Sequence, residues 1–101
     1  MLTSKQRAQL RSIANSAETI LHIGKSGITE TVVQQLNEGL TAREIVKGKV
    51  LENAPITPRE ACDGLAEMCN AMPVQVIGSK FVIYRPNPEL APDKRIKLVK
   101  D

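Results

Sequence analysis

The sequence predicts a two-layer α+β domain, with three helices on one face of a four-stranded mixed sheet, in the order α-β-α-β-α-β-β. Three observations predict it. Apolar residues recur at helical spacing in three segments, each opened by a threonine suited to cap a helix. Strand-like segments lie between those helices, and a strand–helix–strand unit implies parallel neighbours joined by a right-handed crossover. Finally, two alternating segments meet across Gly78-Ser79, a hairpin turn with glycine first, which adds an antiparallel pair.

Thr3 to about Asn15 reads as the first helix. Thr3 and Gln6 have capping-box spacing, and Leu10, Ile13, Ala14 and Ala17 form an apolar stripe. Arg7 and Arg11 edge that stripe, either as an RNA-facing pair or as snorkelling side chains. Glu18 to Ile23 is the first strand, and it runs into Gly24-Lys25-Ser26-Gly27. Thr29 caps the second helix, which extends to Leu40 and carries Val32, Val33, Leu36 and Leu40 on one face. The second strand spans roughly Glu44 to Leu51. Its alternation places Val46 and Val50 on one side, and Ile45, Lys47 and Lys49 on the other.

Thr57-Pro58-Arg59-Glu60 opens the third helix, with threonine as cap, proline at the first helical position and glutamate three residues past the cap. Ala61, Leu65, Ala66, Met68, Cys69 and Met72 face inward, most acidic residues face outward, and Asn70 closes the helix. Val74 to Ile77 and Lys80 to Arg85 form the hairpin. Its register pairs Val76 with Phe81 and Val74 with Ile83, leaving Gln75, Ile77, Lys80, Val82 and Tyr84 on an open face. Pro86, Pro88 and Pro92 make the next stretch extended and poorly packed. The tail from Lys94 to Lys100 is basic and alternating, either an edge strand or a disordered arm. Residues 1–86 therefore form the domain and 87–101 a proline-containing basic tail.

The chain has 101 residues, enough for one small domain. Only 2% are aromatic, so the core is aliphatic. No apolar run approaches the roughly 18 residues needed to span a membrane, and no signal-peptide stretch opens the chain. The expected location is cytoplasmic. Cys62 and Cys69 lie seven apart in one helix, a rise of about 10 Å that is too long for a disulfide. With His22 as the single, distant histidine, they make a poor metal set, so both are expected as buried thiols and no metal is expected. Net charge is +3, unevenly spread: residues 52–73 hold one basic residue against four acidic ones, and both flanking regions are basic. That asymmetry suits an acidic partner, and ordinary solubility also accounts for it.

The loop at residues 24–27 carries the most chemistry. It sits between a strand end and a helix start, where unpaired amides and the helix dipole favour an anion. Glycines permit a sharp turn and close approach, and Lys25 adds a full positive charge. The alternative is a plain turn with a solvated lysine. Gly24-Lys25-Ser26 imitates the end of a P-loop, but the required upstream glycine position is Thr19. No spacing suggests a nucleophile with its base, and Glu60, Asp63 and Glu67 read as a solvated helix face. Enzyme activity and a cofactor are not expected. Base stacking on sheet aromatics is weakly supported, because Tyr84 is the one aromatic assigned to the open face. A Gly-x-x-Gly loop clamping a sugar–phosphate backbone fits better, although here it joins strand to helix.

Taken in order, Leu2-Thr3 with Lys5-Gln6, Ile23 to Thr29, Glu44-Ile45-Val46-Lys47, Val74 to Gly78 and Tyr84-Arg85-Pro86 resemble the stand-alone bacterial CRM domain, the YhbY-like RNA-binding proteins. The resemblance covers about residues 1–86. It implies a fold like the C-terminal domain of bacterial initiation factor three, RNA binding through the Gly-x-x-Gly loop and nearby basic residues, and association with precursors of the large ribosomal subunit. Two positions depart from the family pattern: Gly48, where an apolar strand residue is usual, and Cys69-Asn70-Ala71, where Thr-Gly-Ala is usual.

The expectation is thus a monomeric, non-enzymatic protein that binds RNA, and no membrane. Its contacts would come from Gly24, Lys25, Ser26 and Gly27, widened by Lys5, Arg7 and Arg11, with Arg43, Lys47, Lys80 and Arg85 as further candidates. Lys47 and Lys80 would make the open sheet face a competing RNA surface. The rival in another class is a protein-interaction adaptor docking through the acidic helix 57–70.

Overall fold

A computed structural model describes residues 2–100. It contains α1 (Ser4–Asn15), β1 (Thr19–Ile23), α2 (Glu30–Arg43), β2 (Ile45–Val50), α3 (Pro58–Met68), β3 (Met72–Ile77) and β4 (Lys80–Tyr84), followed by a 3-10 turn at Pro92–Lys94. The α+β class, the element order and the mixed sheet are as the sequence predicts. The strands lie in the order β1-β2-β4-β3, with β1 parallel to β2 and the other pairs antiparallel.

Local chemistry explains the helix ends. Both predicted capping boxes form: Thr3 with Gln6, and Thr57 with Glu60. Thr57 donates its amide N–H to Glu60 Oε1 at 2.9 Å, and this bond holds the Glu60 carboxyl below its ordinary pKa. At the other end of α3, Asn70 is left-handed (φ 54°). Ala71 N–H donates to Ala66 C=O at 2.8 Å, and Asn70 N–H to Glu67 C=O at 3.2 Å. These are the two bonds of a Schellman closure, so asparagine does the work of glycine here.

One expectation is corrected: the helices do not share a face. Leu21, Ile23, Val46, Val50, Phe81 and Ile83 point toward α2 and α3 and pack with Leu36, Leu40 and Leu65. Ile45, Val82 and Tyr84 point the opposite way and pack under Leu10 and Ala14 of α1. The result is three layers, with α1 alone on the second face. The reason is burial. The face expected to stay open carries Ile45, Val82 and Tyr84, and the stripe of α1 needs a partner of the same kind.

A bulge in β3 contributes. The pairing runs Pro73↔Ile83 and then Gln75↔Val82, so Val74 has no partner on β4. Val74 therefore joins the α1 side instead of pairing with Ile83. Met68 and Met72 also depart from expectation. Met68 is 60% exposed at the end of α3, and Met72 begins β3 and packs against the α1-side core.

The tail is neither an edge strand nor a free arm. Ile96 and Leu98 pack against the α1-side core. Gln9 of α1 accepts the Val99 N–H at 2.9 Å and donates to the Lys97 carbonyl at 2.7 Å. The buried Glu44 carboxylate accepts from the Asn87 and Ile96 amides, both at 2.6 Å, and from Arg95 Nε at 3.3 Å. This tether is a stabilising feature that periodicity does not reveal.

Cys62 and Cys69 are free and buried, as expected. Burial pushes the Cys62 thiol up to about 11 and raises that of Cys69. Neither should react with a disulfide reagent at neutral pH while the chain is folded, and both should react in denaturant. Counting titrated thiols checks this, and fast labelling of Cys62 in the native state would contradict it.

Candidate nucleic-acid interface

Because β1 and β2 are parallel, both strands deliver their carboxyl ends to one edge of the molecule. Ile23 pairs with Val50, and Leu51 N–H donates to Ile23 C=O at 2.8 Å. The loop 24–27 leaves from this edge. Gly27 N–H donates to Gly24 C=O at 2.9 Å, which closes a four-residue turn. Lys25 and Ser26 form its exposed tip.

The two glycines have different jobs. Gly27 is buried, its φ is 67°, and a Cβ there would lie 3.3 Å from Pro55 Cγ. The fold itself demands glycine at this position. Gly24 has no such need. Its nearest neighbour would be Leu51 Cδ1, at an ordinary 3.8 Å. A methyl group fits there in ordinary contact, so the fold does not demand glycine at this position.

Helix α2 follows at Glu30, capped by Thr29, whose hydroxyl accepts Val32 N–H at 3.2 Å. Glu30 already places a carboxylate in the first turn, where it offsets the positive end of the dipole. Attraction for an anion therefore rests on Lys25 and the loop amides more than on the helix.

The sequence-predicted cations are not one cluster. Lys25 and Lys80 lie at the loop end, since Lys80 opens β4 opposite Lys49, near the end of β2. Lys5 and Arg43 are exposed at the other end, beside the start of α1 and the end of α2. Arg11 is half-buried along α1. Three candidates are occupied within the fold. Arg7 donates to the Pro73 carbonyl at 2.8 Å, tying α1 to β3. Lys47 Nζ donates to the Ala14 carbonyl at 3.3 Å, near the end of α1. Arg85 donates to Asn37 Oδ1 at 2.6 Å, to the Cys69 carbonyl at 2.9 Å and to Thr41 Oγ1 at 3.0 Å, clamping α2 to the end of α3.

Lys49 lies on the same side of β2 as Lys47, as alternation predicts, and both are half-buried; the contact with the end of α1 falls to Lys47. Stacking on sheet aromatics has no surface here, because Tyr84 and Phe81 are both fully buried. On the acidic helix, Glu60 serves its own capping box and Asp63 meets Arg59 at 3.8 Å across an exposed turn. Among the described residues, no group of three metal-ligating side chains gathers. None of the described helices is long and apolar enough to cross a membrane.

Comparison with known proteins agrees with this architecture. The family model of the CRS1/YhbY (CRM) domain matches residues 2–85. The chain is 35% identical to the Bacillus subtilis protein YqeI, named a probable RNA-binding protein, over 97% of this chain and 99% of that one. It is 30% identical to a Haemophilus influenzae protein named RNA-binding protein, over 87% and 89% of the two chains. The solution structure of SAV1595 from Staphylococcus aureus superposes with a TM-score of 0.78 at 40% identity, covering 98% of this chain and all of the other. With residues 2–85 matched by the family model and the fold shared with a relative, the chain belongs to the CRS1/YhbY (CRM) domain family.

Proposed function

We propose that this protein is a non-enzymatic RNA-binding protein that grips the sugar–phosphate backbone with the Gly24–Gly27 loop, and that it acts on precursors of the large ribosomal subunit. The observation that carries the loop reading is the exposed Lys25-Ser26 tip beside Gly24, a glycine that the fold itself does not require. A backbone left open next to a cation suits a phosphate. The names of the relatives support RNA as the partner, and the ribosomal role rests on the family resemblance. The protein works as a monomer in the cytoplasm, and its exposed cations supply a salt-sensitive affinity.

The test is an RNA mobility shift with a salt titration. With three to six phosphate contacts, log affinity should fall with log salt at a slope of roughly −2 to −5. Lys25→Ala should flatten that slope by about 0.7 to 0.9. Gly24→Ala is the sharper probe: it should melt like the parent yet bind RNA several-fold more weakly. Gly27→Asp should bind worst, but its positive φ means that its melting temperature must be read beside its affinity. Asp63→Ala, on the acidic helix, should leave binding unchanged. Equal binding by Gly24→Ala, Lys25→Ala and the parent would remove the loop from the site. Crosslinking in cells to RNA other than ribosomal RNA would remove the assembly role.

A further inference from the structure

Two lysines that form no ion pair with any described residue face each other across the sheet next to the loop. Lys49 of β2 is in register with Lys80 of β4 on one side and with His22 of β1 on the other. The residues flanking the row, Ile23, Val50 and Phe81, point into the α2–α3 core. Strand alternation therefore sends His22, Lys49 and Lys80 to the opposite face, the one that carries α1. The end of α1 is marked by the contact of Lys47 with Ala14, two residues before Lys49 on β2. Beyond it His22 and Lys80 are exposed, Lys49 is half-buried, and Ile77, paired with Lys80, is 64% exposed.

Like charges directly opposite on an antiparallel pair repel and weaken it. Nothing among the described residues relieves this pair, since the ion pairs there are Arg59–Asp63 and Arg95–Glu44. The acidic residues on the segments that meet this end of the sheet are Glu30, Glu52 and Glu60, all exposed and none ion-paired with the row. The geometry points to the His22–Lys49–Lys80 row as a second phosphate-contact surface, on which a single RNA strand held at the 24–27 loop continues across the sheet toward the β3–β4 turn. This rests on the RNA-binding reading and extends it. Four neighbouring strand positions span about 14 Å, room for more than one phosphate. A bound backbone would neutralise the pair, and Ile77 offers an apolar contact to a splayed base.

The test uses a fluorescein-labelled single-stranded oligouridylate and the variants Lys49→Gln, Lys80→Gln and the double variant, with Lys25→Ala alongside. Each single variant should weaken binding roughly three- to tenfold, and each lost cation should flatten the salt slope by about 0.7. The melting temperature of the double variant should equal or exceed that of the parent, because a repulsion is removed. Lys49→Arg and Lys80→Arg should keep parental affinity, which separates lost charge from a lost fold if a glutamine variant melts early. Weakened binding by Lys25→Ala with parental binding by the double variant would overturn the row and leave the loop standing. No binding by the parent at low salt would overturn the RNA reading itself.

Discussion

Glu44→Ala should lower stability by about 3 kcal/mol and release the segment after residue 86 from the body of the protein. Glu44 is completely buried, and its carboxylate accepts two backbone amides and the Arg95 guanidinium. Removing it strands the Asn87 and Ile96 N–H groups, each at a cost of about 1 to 3 kcal/mol if they stay buried. The chain will instead let the tail detach, which caps the loss and exposes Ile96, Leu98 and the surface beneath them. Arg95 is 35% exposed on its side chain, so its charge returns to water at little cost. Against a total stability of about 5 to 15 kcal/mol, the change is large. Glu44→Gln should lose less, since one oxygen still accepts. Denaturant unfolding gives the magnitude, and amide exchange at residues 87–99 locates it. Full protection of Ile96 in Glu44→Ala would show that the carboxylate is not the tether. Glu44 also sits at φ 66°, in the left-handed region. Glu44→Gly would relieve that backbone and still lose the tether, separating the two effects.

Gly48→Val should be at least as damaging. A Cβ at Gly48 would lie 2.3 Å from Phe81 Cζ and within 3.0 Å of two further ring carbons. Phe81 is completely buried under α2 and α3, so the ring cannot swing into solvent. Overpacking of this kind costs about 1 to 3 kcal/mol for a small intrusion, and valine brings two more carbons. The departure from the family pattern at this position is therefore not a weak point in β2. The missing side chain is the space that the phenylalanine ring occupies. Gly48→Ala combined with Phe81→Leu should be less destabilised than the sum of the two single variants, because each change makes room for the other. Strict additivity in urea unfolding would mean that the two positions do not share that volume.

Much of the fold was legible from local rules. The three helix starts follow from Thr3, Thr29 and Thr57 with their capping partners, and the end of α3 follows from Asn70. The Gly78-Ser79 turn follows from a glycine at φ 58° in the first central position. The strand-to-helix position of the 24–27 loop follows from the apolar run before it and the cap after it. All of these depend on residues within a few positions of one another, where backbone sterics and short-range hydrogen bonds decide the outcome.

Nearest-neighbour rules stop where the partner is remote in sequence. Alternation separates Val46 from Ile45 and Lys47, but it does not say whether the second face meets water or a helix. That depended on α1 finding Ile45, Val82 and Tyr84, residues thirty or more positions away. The same packing decided which cations are free. Arg7, Lys47 and Arg85 read like Lys25 and Lys80 in the sequence, yet carbonyls brought up by other elements take their hydrogens. By itself the sequence determined the order of elements, their caps and the loop that marks one end of the sheet. Only the tertiary structure decided the third layer, the tether at Glu44 and the pairing of Lys49 with Lys80. Each of these is a contact between segments far apart in the chain, and its free energy depends on burial and register that no single segment encodes.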